Sequence, residues 1–245
     1  MSTDYDAIAG DYKRAKQQPW RSFIEAFTLM ELVGDPTGAA VVDLACGEGH
    51  YTRRLRLLGA SKVLGVDLSE GMIALARAEE AARPVGVDYL VGDCRELGLP
   101  GEFDLAVAAY LLNYARDRCE LAAMCRGVAH CLKPGGRFVT ANTNPGLDFD
   151  RLPSFAAYGF DVEAAGALRE GTPITWTFDL EDGTLRVENY HLDASAHEEA
   201  LHDAGFRDVR WRLPRLSPLG EAAKGRAYWE PFLSHPPVIF IECRK

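Results

Sequence analysis

The sequence predicts an α/β fold built on a mostly parallel sheet with helices on both faces. Three observations predict it. Short apolar runs of β character alternate with helical patterns from about residue 40 to residue 141. The early runs end in glycine or aspartate and pass directly into a helical pattern. The chain, at 245 residues, has the length of one such domain with a modest insertion.

Taken in order, two helical stretches precede Gly38, the second starting near Pro19. The first strand is predicted over 40–45, followed by a helix with Tyr51, Leu55 and Leu58 on one face and Gly59 as its stop. A second strand covers 62–67, and Ser69 caps a helix that runs to Ala82. Strands over 87–91 and 103–109 follow, then a helix carrying Leu121, Met124, Cys125, Val128 and Leu132 at helical spacing. Lys133-Pro134-Gly135-Gly136 reads as a turn before a fifth strand over 137–141. The pattern then changes. Two runs over 174–180 and 184–192, separated by Glu181-Asp182-Gly183, predict an antiparallel hairpin. Ser195 and Glu198 fit a capping box opening a helix that Gly205 ends, and two strands over 208–213 and 238–243 close the chain.

Composition narrows the function. The net charge of −9 and the lack of a long Lys/Arg cluster argue against a nucleic-acid substrate. There is no run of about 18 apolar residues and no apolar segment of signal-peptide type at the start, so a cytoplasmic location without membrane insertion is expected. Cys119, Cys125 and Cys131 are six apart, which turns successive thiols by about 240° on a helix. That spacing and the absence of a CxxC pair predict reduced thiols and no metal centre.

The chemistry concentrates at the carboxyl ends of the strands, where open α/β sheets bind ligands. Asp43-Leu44-Ala45-Cys46-Gly47-Glu48-Gly49 ends the first strand, and its glycines let a ligand press on the backbone. Asp67 ends the second strand about 20 residues later, placed to accept hydrogen bonds from a ribose diol. Asp93 ends the third strand, where its carboxylate and the following N–H suit an amine and a ring nitrogen of adenine. Each acid alone also reads as a solvated strand-end or turn residue. A dinucleotide site is disfavoured because Thr52 stands where the third glycine of Gly-x-Gly-x-x-Gly belongs.

As a set, with Phe103-Asp104-Leu105 and Leu132-Lys133-Pro134-Gly135-Gly136, these motifs resemble class I S-adenosylmethionine-dependent methyltransferases. The resemblance implies a Rossmann-like sheet of seven strands, the last antiparallel, and S-adenosyl-L-methionine as cofactor with S-adenosyl-L-homocysteine as product. It implies one domain with a helical lid over 1–38, a cofactor-binding core over 39–145, a substrate-side insertion over 146–193 and a C-terminal segment over 194–245. It assigns Ala45 and Gly47 to the methionine part, Asp67 to the ribose, Leu68 and Met72 to the adenine face, and Asp93 and Cys94 to its polar edge. Ala45 departs from the glycine common there. Tyr5-Asp6-Ala7-Ile8-Ala9-Gly10-Asp11-Tyr12 resembles the lid of small-molecule members, which implies that Tyr12 and Arg21 bind the cofactor carboxylate and that Tyr5 faces the substrate as an orienting hydroxyl.

More narrowly, the chain resembles the toxoflavin synthase group, which N-methylates a pyrimidotriazine (azapteridine) precursor. The residues behind this are 5–16 with Pro19 and Arg21, the 43–49 loop, Tyr110-Leu111-Leu112-Asn113-Tyr114 and the hairpin. In this fold Ala109 and Tyr110 end a strand over the transferable methyl group. Tyr110 and Tyr114 suit stacking on a flat heterocycle, or core packing, and Asn113 suits hydrogen bonding to its edge. Asn142 lies on the ligand side after the fifth strand. Trp176, Phe178 and Tyr190 either roof the pocket or pack the hairpin onto the body. His50 reads as a solvated helix-start residue and His191 as a weak base candidate. The resulting expectation is a small-molecule N-methyltransferase, with O- or C-methylation of another metabolite as the alternative.

Overall fold

The computed structural model describes residues 5–15 and 18–245, without the side chains of residues 7, 9 and 11–13. Its main layer is a seven-stranded sheet. The strands are β1 (Ala40–Leu44), β2 (Lys62–Asp67), β3 (Asp88–Val91), β4 (Phe103–Ala109), β5 (Leu132–Thr143), β9 (Arg207–Arg212) and β10 (Val238–Arg244), in the spatial order β3-β2-β1-β4-β5-β10-β9. The first five strands pair in parallel, whereas β10 runs antiparallel to both β5 and β9. The order reverses between β1 and β4, and ligands bind beyond such a switch point.

Alternation along each strand feeds two cores. Val41, Val63, Leu105, Val107, Val139 and Phe240 face one side, where α2 (Ala26–Val33), α3 (His50–Leu57) and α4 (Glu70–Ala82) pack. Val42, Leu44, Ala106, Ala108, Phe138 and Ile241 face the other, against α5 (Arg118–Cys131) and α6 (Ala194–Asp203). Burial on both faces explains why these strands read as continuous apolar runs.

Ahead of the sheet lie α1 (Tyr5–Ala15) and a π-helical turn, Arg21–Glu25, that runs into α2. Arg137 of β5 donates to the Val33 carbonyl at 2.9 Å and to that of Leu32 at 2.5 Å, tying the end of α2 to the sheet. The inserted segment forms a separate antiparallel sheet of β6 (Phe160–Ala164), β7 (Pro173–Leu180) and β8 (Gly183–Tyr190). Trp176 stacks on Phe160 at 5.3 Å between ring centroids and on Phe178 at 6.0 Å. Trp20, Phe155, Tyr158 and Phe232 extend the cluster onto α8 (Arg226–Ser234), which follows α7 (Pro218–Lys224).

Several local expectations change. The hairpin gains β6 as a third strand. Lys133-Pro134-Gly135-Gly136 lies inside β5, where Gly135 donates to Lys245 O at 2.9 Å and Lys245 donates back to Gly136 O at 2.8 Å. Leu58 is exposed because α3 ends at Leu57 and the chain turns away. The capping box does not form: Asp193 is the N-cap of α6, and the Glu198 carboxylate instead accepts from Trp211 Nε1 at 2.7 Å. Among the described residues, no helix is long and apolar enough to cross a membrane.

Candidate active site

The loop between β1 and α3 is shaped for close approach. Ala45 sits at φ 55°, a left-handed conformation that costs a side chain energy and exposes the backbone. Gly49, at φ 82°, is the N-cap of α3, and a Cβ there would lie 2.2 Å from the Tyr89 hydroxyl oxygen, so only glycine fits over that ring. Asp67, ending β2, fastens this loop to the next. Its Oδ2 accepts from Gly47 N at 2.7 Å and its Oδ1 from Ser69 N at 2.9 Å. Ser69 then caps α4 by accepting from Met72 N at 3.0 Å.

Between these loops and the ends of β3 and β4 lies a cavity of about 340 Å³. Ala45, Gly47, Asp67, Leu68, Met72, Asp93, Cys94, Ala109, Tyr5, Tyr110, Tyr114 and Tyr190 all line it. The structure thus brings most of the sequence-selected residues to one place. Leu68 is 69% exposed beside buried Met72, an apolar surface open to the cavity. Asp93 is held by Arg95, whose Nε lies 2.9 Å from each carboxylate oxygen and whose backbone N–H donates to Oδ1 at 2.9 Å. That pairing holds the Asp93 carboxyl below the usual carboxylate range. Burial pushes the neighbouring Cys94 thiol up to about 12, so it stays protonated.

Four expected residues lie elsewhere. Arg21 is buried in the first core, donating to Glu25 Oε2 at 2.7 Å, with its guanidinium 4.4 Å from the Trp20 ring centroid. A buried guanidinium needs a carboxylate, and Glu25, one π-helical turn on, supplies it. Trp176 faces a recess behind Tyr110 and Tyr114 rather than the main cavity. Asn142 contacts His197 Nε2 at 3.1 Å on the far side of β5. Asn113 is buried in a 3₁₀ turn, Leu112–Tyr114, and lines neither the cavity nor the recess. The Tyr12 side chain lies outside the described residues.

The structure also brings in residues that sequence reasoning passed over. Glu25 is the hub of a buried network, accepting from Tyr51 at 2.7 Å and from the Tyr110 hydroxyl. Burial, reinforced by the Glu25 carboxylate, pushes both phenols well above their ordinary range, so they remain donors. Tyr110 is held at φ 69°, where a bulky residue is rare. Asp6 of α1 accepts from Gly71 N at 2.8 Å and from the Ser69 hydroxyl, so α1 grips the start of α4. Gly127 of α5 lets that helix meet the loop after β3: a Cβ there would lie 2.0 Å from the Cys94 carbonyl oxygen. The only local signals for these were an Arg-x-x-x-Glu spacing and a glycine inside a helical pattern.

Comparison with known proteins decides the family. Residues 41–136 match a family described as a methyltransferase domain. The chain is 32% identical to a ubiquinone biosynthesis O-methyltransferase of Bordetella bronchiseptica over 187 residues, 75% of this chain and 70% of that protein. The chain belongs to the class I S-adenosylmethionine-dependent methyltransferases. The methyltransferase is also 26% identical to the N-demethylindolmycin N-methyltransferase of Streptomyces griseus, over 85% of this chain and 90% of that protein. It is 33% identical to a demethylmenaquinone methyltransferase of Lactococcus lactis over 59% of this chain and 56% of that protein. A crystal structure of an S-adenosylmethionine-dependent methyltransferase from Mesorhizobium loti superposes with a TM-score of 0.64 at 28% identity, covering 90% of this chain and 97% of that one.

The residues present fit this cofactor. Ala45 turns backbone toward the cavity, the Asp67 carboxylate is held rigid by two backbone donors, and Leu68 with Met72 offers a flat ring an apolar face.

Proposed function

We propose that this methyltransferase N-methylates a small flat heterocycle, in particular a toxoflavin-type pyrimidotriazine precursor. The observation that carries the reading is the substrate end of the cavity, walled by Tyr5, Tyr110, Tyr114 and Tyr190. Aromatic walls on several sides suit a planar ring. The N-demethylindolmycin relative supports nitrogen as the acceptor.

In this reading Ala45, Gly47, Asp67, Leu68, Met72, Asp93, Cys94 and Ala109 hold the cofactor, with Tyr12 near its carboxylate. When bound, the cofactor supplies a methyl group activated by its positive sulfonium. The protein's part is to align the acceptor and exclude water. Tyr5 stands edge-on to Tyr114, their ring centroids 5.8 Å apart and their hydroxyls in contact, so Tyr5 orients the acceptor from the lid.

Every carboxylate of the cavity lining is engaged. Asp67 binds backbone N–H groups, Asp93 binds Arg95, Glu120 accepts from Arg116 Nε at 2.9 Å, and Glu188 accepts from Tyr190 at 2.8 Å. No histidine is among the described lining residues. Such a site suits an acceptor whose acidic N–H ionises without a dedicated base.

The test is methyl transfer from labelled S-adenosylmethionine to the didemethylated toxoflavin precursor, read by mass spectrometry. A gain of one or two methyl groups is expected. Cofactor binding without transfer would reject the substrate assignment. O- or C-methylation is the second reading, favoured by the quinone-pathway relatives, and product analysis separates it.

A further inference from the structure

The Asp93 carboxylate is gripped twice by one residue. The backbone N–H of Arg95 donates to Oδ1 at 2.9 Å, closing a local turn. The Arg95 side chain then covers both oxygens, with Nε 2.9 Å from each and Nη2 in contact with Oδ2. The backbone bond already fixes the direction of the carboxylate, so the guanidinium is not needed to aim it. Its effect is to occupy acceptor sites. Asp93 and Arg95 both line the main cavity. The amino group of adenine and the guanidinium are both donors, so at Asp93 they compete for one acceptor. The guanidinium has room to leave and a counter-charge to leave for. Its side chain is 39% exposed, and it also lines a surface groove of about 410 Å³ beside Arg126 and His130 of α5. Hydrogen bonds to Asp93, with a smaller contribution from the Glu120 carboxylate on the cavity wall, hold the guanidinium above its ordinary range.

We propose that Arg95 gates the adenine end of the cofactor cavity: its guanidinium holds the Asp93 carboxylate until the amino group of the adenine displaces it. Arg95 thereby sets both the affinity for the cofactor and the preference for a 6-amino over a 6-oxo purine. The gate rests on the assignment of Asp93 to the adenine edge made above, and it holds whatever the methyl acceptor. A partly exposed ion pair is worth at most about 1 kcal/mol, which closes the gate about four-fifths of the time or less. Affinity falls in proportion to the open fraction, so removing the guanidinium raises it up to about fivefold. A 6-oxo purine behaves differently. Its carbonyl accepts from the guanidinium and meets repulsion from a bare carboxylate, so it gains nothing from an open gate.

The experiment is titration calorimetry of the full-length parent, R95M and D93N proteins with S-adenosylhomocysteine and with its deaminated counterpart, S-inosylhomocysteine. R95M is expected to bind S-adenosylhomocysteine about threefold to fivefold more tightly and the deaminated compound no more tightly than the parent does. D93N is expected to weaken S-adenosylhomocysteine about tenfold. In ¹⁵N-labelled parent, the arginine Nε–H signal that R95M removes is expected to move when S-adenosylhomocysteine is added. If R95M leaves that affinity unchanged or lowers it while D93N weakens binding, Arg95 only buttresses Asp93; this overturns the gate and leaves the Asp93 assignment standing. An unmoved Arg95 signal in the bound protein overturns the gate in the same way. Equal tightening of both ligands overturns the purine preference. Unchanged binding in D93N removes Asp93 from the adenine edge and the gate with it.

Discussion

Arg21 and Glu25 face one another at 2.7 Å within a single π-helical turn, and both are almost completely buried. The pair joins the segment that follows α1 to the sheet, because Glu25 also takes the hydroxyls of Tyr51 and Tyr110. Removing one partner of a buried pair leaves an uncompensated charge, typically at a cost of about 3–5 kcal/mol. Glu25→Gln is therefore expected to lower Tm by about 10 °C. Arg21→Met combined with Glu25→Leu should recover part of that loss, since no charge then stays buried. Thermal unfolding of the three proteins checks this.

Asp67 organises the loops that face the cofactor. Asp67→Ala frees the N–H groups of Gly47 and Ser69 together. Hydrogen bonds to a charged group are worth about 1.5–3 kcal/mol. Calorimetric affinity for S-adenosylmethionine should fall at least about tenfold, with a smaller effect on folding.

Tyr5→Phe removes the hydroxyl that meets Tyr114 and spares the ring. We expect kcat/KM to fall about tenfold, the worth of one hydrogen bond near the acceptor. Cofactor affinity should stay near that of the parent. Loss of cofactor binding in this variant would remove Tyr5 from the substrate side.

Gly127→Ala drives a methyl group into the Cys94 carbonyl. Overpacking of this kind costs about 1–3 kcal/mol. Because Cys94 follows Asp93 at the cavity wall, the shift should also weaken cofactor binding. Tm and affinity measured on one preparation test both effects.

His197 gives the fold a pH dependence. It is buried, its Nδ1 lies 3.0 Å from Asp193 O and its Nε2 faces Asn142, so the neutral ring with the proton on Nδ1 fits. Burial holds its pKa below the ordinary value of 6.5. The unfolded chain then binds the proton more readily. This contribution is full above pH 6.5 and is lost as the pH falls from there toward the depressed native value. Denaturant midpoints across that interval should decline in the parent and flatten in His197→Gln.

The parallel core was legible because each strand is buried on both faces, so apolar runs such as Val41-Val42 and Leu105-Ala106-Val107-Ala108 announce themselves. Asp67 and Asp93 were legible because strand ends fix where their side chains project. β6 was not: Phe160-Asp161-Val162-Glu163-Ala164 alternates, but its partner strand β7 begins nine residues later across a loop without a hairpin turn signal. The resemblance assigned Arg21 to the cofactor carboxylate, and only the tertiary fold brings Tyr110 and Phe178 against it. Asp6 escaped notice for the same reason, since its partners Ser69 and Gly71 lie more than 60 residues away. Ser195 and Glu198 show the converse, a correct local pattern displaced when Asp193 took the cap.

The aromatic cluster has an optical consequence. Trp20, Trp176 and Trp229 sit in one cluster of stacked and tilted rings with Phe155, Tyr158, Phe160, Phe178 and Phe232, while Trp211 stands apart on β9. Rings fixed at such short range in a chiral setting give strong near-ultraviolet dichroism. That signal reports how the three-stranded sheet seats on the helices, separately from the far-ultraviolet signal of the backbone. Heating followed at both wavelengths resolves whether the small sheet lets go before the large one melts.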